Sequence, residues 1–278
     1  MARAQNKETA GPAAKMIAGV ARRARIRKGW TQEYLGTQLG YSGAAVSAME
    51  TLAQPASDEM LVELERVLGD NMGIFEEARL YVRLEKYPRQ FQNYALLEQT
   101  AVSLRLYAAV VVHGLFQTEA YARALIGGSY PPLPDQRVQE LVENRMIRKA
   151  LFEREPTALI EVVLEEAVLT RVIGCQDVMR DQMRHLAECA RRRNVTLQVL
   201  PLDCGLSGEH AGAYGDVNLV ETPEHDNLVY LEPQEESLLI SDPDVVSRYA
   251  QRYAKIRAQA LGPRESLDLI ERLAGDRE

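Results

Sequence analysis

The chain has 278 residues, which at about 150 residues per domain predicts about two domains. Hydrophobic residues make up 46% and charged residues 26%, an ordinary globular composition that excludes disorder along most of the length. No run approaches the roughly 20 apolar residues of a membrane span, so no membrane association is expected. The start, Met1 to Lys7, has no apolar stretch, so a cytoplasmic location is expected rather than secretion. Three cysteines, Cys175, Cys189 and Cys204, are an odd and sparse set that fits free thiols in a reducing compartment.

The net charge of −7 hides an asymmetry. Residues 1–30 carry eight basic side chains and one acid, a net of +7, and the other 248 residues carry a net of −14. Such a split is compatible with a basic binding end on an acidic body, and equally with a solvated basic helix.

In chain order, residues 1–12 read as a flexible tail ending at Gly11 and Pro12. Helical periodicity then fills about Ala14–Lys28, Gln32–Leu39, Gly43–Thr51, Asp58–Leu68 and Met72–Leu84. Thr31, Ser42 and Ser57 stand where N-caps belong. These five helices make a compact head over residues 13–86. Tyr87, Pro88, Arg89 and Gln90 break the pattern and set the boundary, because proline biases the preceding residue away from helix.

Residues 87–278 mix two periods. Extended runs are expected at Ala158–Leu164, Thr196–Leu200, Asp216–Val220, Leu228–Leu231 and Ser237–Ile240, with another near Val102–Tyr107. Helices are expected at Thr118–Ile126, Gln136–Glu153, Gln176–Arg192, Pro243–Ala260 and Arg264–Leu273. Asp135 and Asp242 are candidate caps, the latter followed by Pro243 at the first helical position. The chain as a whole is therefore mainly α, with an α+β second domain.

The stretch that carries a function runs from Lys28 to Glu50, KGWTQEYLGTQLGYSGAAVSAME, and reads as helix, short turn, helix. Leu35 and Leu39 share one face of the first helix, and Val46 and Met49 one face of the second. Gly36 is small where two helices would cross closely, and Gly40 stands where a helix ends in a positive φ. Two helices joined this way present the second to a DNA major groove. On Thr31, Gln32, Glu33, Leu35, Gly40, Ser42, Val46, Ser47 and Glu50 the segment resembles the helix-turn-helix of the XRE family, the phage-repressor type. That resemblance implies double-stranded DNA as a partner, with Gln32 touching a phosphate and Arg22 facing the backbone. It also implies that Arg25 and Glu50 form a partly buried pair that serves the fold.

The positions that usually read bases hold Gly43, Ala44 and Ala48, none of which can make a bidentate hydrogen bond to a base edge. Hydroxyls come only from Ser42, Ser47 and Thr51. Glycine at position 43 also weakens a helix start. The candidate DNA-contacting set is thus Arg22, Gln32, Ser42, Gly43, Ala44, Ser47 and Thr51, with modest sequence discrimination.

From about Leu97 the chain resembles the C-terminal domain of WhiJ-like regulators of bacterial development. The carrying segment is His113 to Leu125, HGLFQTEAYARAL, where the family usually has proline for His113 and leucine for Phe116. Arg145, Glu166–Leu169, Gly174, Met179, Gln182, Leu186, Val195–Pro201 and Val229–Glu232 also match. This resemblance implies an antitoxin-like regulator, homodimeric by family habit, whose second domain engages a small partner protein encoded nearby. Gly114, Gln117 and Thr118 read either as a turn and N-cap or as a binding element. Two alternatives stand beside regulation by a partner: an interaction protein that sequesters the partner and binds DNA weakly, and a small-ligand sensor.

Catalysis is not expected. Glu165 and Glu166 are adjacent and diverge on any regular backbone. Cys204 and His210 could be drawn as a thiol–imidazole pair or half a zinc site, but no second ligand cluster has metal spacing. Cys175 and Cys189 fall in a helical stretch where small buried residues are common. There is no phosphate-cradling or dinucleotide fingerprint. No cofactor and no metal are expected.

Overall fold

The computed structural model describes residues 11–70, 72–84, 89–206, 208–233 and 236–275. They fall into two compact units, Met1–Arg89 and Gln90–Glu278. The tail residues 1–10 and the expected break at Tyr87 and Pro88 lie outside the described residues.

The first unit holds α1 (Pro12–Arg27), α2 (Gln32–Leu39), α3 (Gly43–Glu50), α4 (Asp58–Leu68) and α5 (Ile74–Leu84). Pro12 is not the end of a tail: it opens α1 behind Gly11, where its missing N–H costs nothing and its fixed φ suits a helix. The three expected caps form, Thr31 accepting from the Tyr34 N–H, Ser42 from Ala45 and Ser57 from Met60. Ile17, Leu35, Val46, Met49, Leu61, Leu64, Leu68 and Phe75 make one apolar core. Each supplies about 1.5–3 kcal/mol by leaving water, against the entropy of ordering the helices.

The second unit begins within the first turn of α6 (Arg89–Thr100), a helix that the sequence pattern does not lead one to expect. Then come β1 (Ser103–Ala108), α7 (Glu119–Gly127), α8 (Asp135–Ile147), β2 (Leu159–Glu165), α9 (Glu166–Thr170), α10 (Gln176–Ala190) and β3 (Val195–Leu200). β4 (Val217–Glu221), β5 (Asn227–Leu231), β6 (Leu238–Ile240), α11 (Pro243–Gln259) and α12 (Pro263–Leu273) complete it. The strands form a six-stranded mixed sheet in the order β3-β2-β1-β4-β5-β6. β1, β2 and β3 are parallel, with Leu104 opposite Ile160 and Ile160 opposite Val195, and helices supply both crossovers. β4, β5 and β6 continue the sheet antiparallel from β1.

The central strands are buried on both faces. Tyr107, Val163, Leu219 and Val229 pack against Val246, Tyr253 and Ile256 of α11, and the alternate residues Leu106, Val162 and Leu164 are buried too. Two-sided burial is why these strands read as near-continuous apolar runs. Asp242 caps α11 as expected, but Asp135 does not cap α8: Pro134 holds that position and Asp135 is the first helical residue. The expected helix Gln136–Glu153 also ends early, giving way to a 3-10 turn over Arg148–Phe152.

Candidate nucleic-acid interface

The turn between α2 and α3 is set by three small residues. Gly40 adopts φ 75°, the left-handed conformation that lets α2 end and its carbonyls be capped. A Cβ on Gly36 would stand 2.7 Å from the Tyr41 carbonyl oxygen, so the closeness wanted there is to the turn's own backbone. A Cβ on Gly43 would come within 3.1 Å of Glu33 Cα. Gly43 therefore weakens α3 in isolation but lets its first turn sit directly on the start of α2.

Glu50 fixes the end of α3. Arg25 of α1 donates Nε and Nη2 to its two carboxylate oxygens at 2.6 and 2.8 Å, and Nη1 to the Trp30 carbonyl at 2.7 Å. Gln32 of α2 adds its side-chain amide to Glu50 Oε2 at 2.8 Å. Burial pushes the Glu50 carboxyl up, but the Arg25 and Gln32 hydrogen bonds outweigh it and hold it below the ordinary carboxylate value. One buried acid thus ties three helices together.

The structure distributes the seven candidate DNA-contacting residues unevenly. Arg22 is exposed on α1 and makes no ion pair with a described residue. Gln32 is half-buried with one donor committed to Glu50. Ser42 is exposed and accepts the cap bond from Ala45, which leaves its O–H to donate. Gly43 lies against Glu33, Ala44 is exposed, and Ser47 is half-buried. Thr51 is exposed, but its hydroxyl donates to the Ser47 carbonyl at 2.7 Å.

The basic charge of residues 1–30 is likewise partly spent within the head. Arg25 serves Glu50, and Arg27 and Lys28 both reach Asp70. Arg23, which the sequence reading did not single out, is exposed beside Arg22. Tyr34, also passed over, is exposed and stands edge-on to Trp30 at 5.0 Å. An outward-facing amphipathic residue on α2 leaves no periodic signal, because solvent exposure is the default for that face.

In the second unit, the His113–Leu125 segment turns out to be packing and capping. Thr118 accepts from the Tyr121 N–H and caps α7. Gln117 is buried, donating to the Val112 carbonyl and accepting from Arg145 at 2.8 Å. A Cβ on Gly114 would stand 2.9 Å from Arg148 Nη1, and Arg148 meets both oxygens of the buried Glu98 at 2.7 Å. Gln182, also buried, links the Thr118 N–H to the Phe116 carbonyl. The cysteines have separate settings: Cys189 is buried, Cys204 half-buried, and Cys175 is exposed ahead of α10 rather than within it. No group of three or more His, Cys, Asp or Glu that could hold a metal lies among the described residues.

The geometry of the first unit defines its class: a DNA-binding helix-turn-helix of the XRE type, with α2 and α3 as the two motif helices. Comparison with protein families agrees, since a family described as "Helix-turn-helix" matches residues 22–69. A second, described as "Domain of unknown function (DUF5753)", matches residues 91–272, more than half of the chain, and the protein belongs to that family. No curated protein and no solved structure matches. No helix among the described residues is long and apolar enough to cross a membrane.

Proposed function

We propose that the protein is a cytoplasmic, homodimeric transcription regulator of the WhiJ-like, antitoxin-like type. Its helix-turn-helix binds operator DNA, and its second domain receives control from a small partner protein encoded nearby. The observation that carries the reading is the α3 mounting: Glu50, held by Arg25 and Gln32, fixes the recognition helix with Ser42 and Ala44 outward. A dimer would place two such helices on half-sites about one helical turn apart, roughly 34 Å. The exposed face of α3 carries no long side chain, which favours phosphate contact and groove shape over bidentate base reading.

The same reading makes the protein non-catalytic. Burial, Glu165 and Asp203 all push the Cys204 thiol up, opposite to what a nucleophilic thiolate needs.

The test is binding to the protein's own promoter and to scrambled DNA of equal length, titrated with salt. Tighter promoter binding that weakens with salt is expected, through release of counterions from the contacted phosphates. Equal affinity for the two DNAs would overturn the regulator and favour the partner-sequestering alternative, whose measurement is direct titration with the adjacent small protein. A second reading, control by a small ligand, is favoured by one observation in the second unit, the setting of Glu165.

A further inference from the structure

Among the described residues four glutamates are buried: Glu50, Glu98, Glu165 and Glu271. Three of them face an arginine guanidinium, Glu50 with Arg25, Glu98 with Arg148 and Glu271 with Arg191. Glu165 does not. It ends β2, 7% exposed, and its partners among the described residues are the Tyr107 hydroxyl and His210 Nε2, the latter 3.3 Å away. Buried carboxylates need full-strength partners, because their desolvation is otherwise uncompensated. An imidazole at 3.3 Å is a loose substitute for a bidentate guanidinium.

His210 itself is poorly satisfied. Its Nδ1 is buried with no hydrogen-bond partner among the described residues. Yet the chain on either side of it is fixed. Gln259 of α11 accepts from the Ala211 N–H at 3.1 Å and donates to the Glu209 carbonyl at 2.8 Å. One side-chain amide thus presents His210 to Glu165 from a glycine-rich loop. Tyr107 is positioned by the close backbone of the same loop: a Cβ on Gly212 would overlap its hydroxyl. Burial, and then the bond to Glu165, pushes the Tyr107 hydroxyl above its ordinary value, so it stays protonated and donates.

The location fits a ligand. Tyr107 is near the end of β1 and Glu165 is the last residue of β2, so both stand at the carboxyl ends of parallel strands, where open α/β sheets bind ligands. The loop that delivers His210 also exposes Leu202 and Tyr214. The Tyr214 ring already receives a guanidinium, that of Arg252, at 4.6 Å.

We propose that Glu165 and Tyr107 form a binding site for a small organic cation, a primary ammonium or guanidinium on an apolar body, and that His210 occupies the cation's place when the site is empty. The ligand's N–H groups replace the imidazole on Glu165, its apolar part lies along Leu202 and Tyr214, and His210 swings out and hydrates. This site would serve the small-ligand control named above, but its occupancy is measurable without DNA. A failed titration therefore leaves the DNA reading untouched, and a failed promoter assay leaves this one untouched.

The experiment is calorimetric titration of the full chain with hexylammonium, hexanol and hexanoate, repeated on Glu165→Gln and His210→Ala. Hexylammonium is expected to bind and the two controls to bind at least about tenfold more weakly, since only the cation answers a buried carboxylate. Glu165→Gln should lose about tenfold or more in hexylammonium affinity, and His210→Ala should gain about threefold or more by removing the competitor. Equal binding of hexanol and hexylammonium, or unchanged affinity in Glu165→Gln, overturns the site; weaker binding in His210→Ala overturns the role of His210. Should Glu165→Gln not fold, the imidazole 15N resonances of wild-type His210 decide: they shift on addition of hexylammonium and stay in place with hexanol. No shift with hexylammonium overturns the proposal.

Discussion

Arg25 on α1 and Glu50 at the end of α3 meet through two hydrogen bonds of 2.6 and 2.8 Å, with side chains only 11% and 2% exposed. The pair joins residues 25 positions apart, and among the described residues neither side chain makes a second ion pair. Its burial decides how it behaves on mutation. An exposed pair is worth about 0–1 kcal/mol, whereas removing one member of a buried pair strands the other. Arg25→Ala should therefore lower the stability of the head by about 3–5 kcal/mol, partly relieved by the Gln32 amide that remains on Glu50. The check is thermal and urea unfolding of the full chain alongside DNA binding. If Arg25→Ala lost DNA affinity with no loss of stability, Arg25 would be a DNA contact and not a fold residue.

Gly43 gives a prediction whose sign runs against helix propensity. Alanine in a helix interior is favoured over glycine by about 1 kcal/mol, so Gly43→Ala would ordinarily stabilise α3. Here the added Cβ meets Glu33 Cα at 3.1 Å and Glu33 N at 3.2 Å, and backbone atoms cannot swing aside as a side-chain tip can. Moving α3 off α2 should cost about 1–3 kcal/mol and outweigh the propensity gain. Unfolding midpoints would register the net loss. A rise in midpoint would mean that the two helices part without penalty.

The sequence made local features legible and long-range ones obscure. Thr31, Ser42, Ser57 and Asp242 could be read as caps because each bonds a backbone N–H three residues on, an interaction written within one turn. Gly40 could be read because its left-handed φ follows from where α2 stops. By contrast α6 was missed. Its inward face carries Glu98, which reads as solvent-facing until Arg148, fifty residues further on, neutralises it. A proline ahead of a helix also marks a start as readily as a break. The neighbourhood of Glu165 was equally hidden. Glu165 ends a strand and His210 sits in a loop 45 residues later, so only the sheet and the Gln259 contacts bring them together. In the candidate interface, sequence could place Gln32 on α2, but it put Thr51 inside the second motif helix, whereas Thr51 is the cap residue just after α3. Nor could sequence show that the Thr51 hydroxyl is turned back to Ser47 or the Gln32 amide to Glu50.

His113 makes the second unit sensitive to acid. Burial first, then the neighbouring Arg148 cation, pushes its imidazole down to about 3 from an ordinary 6.5. Because the folded value lies below the unfolded one, the unfolded chain takes up the proton first. Stability is therefore full above about pH 6.5 and falls as pH drops toward 3, by at most about 1.4 kcal/mol per pH unit. His113→Pro should flatten this dependence. The backbone there has φ −54°, which proline adopts without strain, although the bond from the Leu115 N–H to the ring is lost. Urea midpoints of both proteins between pH 4 and 7 test it (about one group's worth of slope at stake). Parallel curves for the two would show that His113 is not the titrating group.

Arg22 and Arg27 separate free charge from spent charge on one helix. Arg22 is exposed and makes no ion pair with a described residue, whereas Arg27 donates to Asp70 at 2.8 Å. Each phosphate contact releases condensed counterions, so the logarithm of affinity falls with the logarithm of salt by about 0.9 per contact. Arg22→Ala should therefore weaken promoter and scrambled DNA alike and reduce the salt slope by about 1. Arg27→Ala should leave the slope nearly unchanged, since the arginine it removes was already neutralised by Asp70. The uniformity across sequences matters as much as the slope, because a phosphate contact positions the protein without reading bases. A loss confined to promoter DNA would instead make Arg22 a base reader, and an unchanged slope would take it out of the interface.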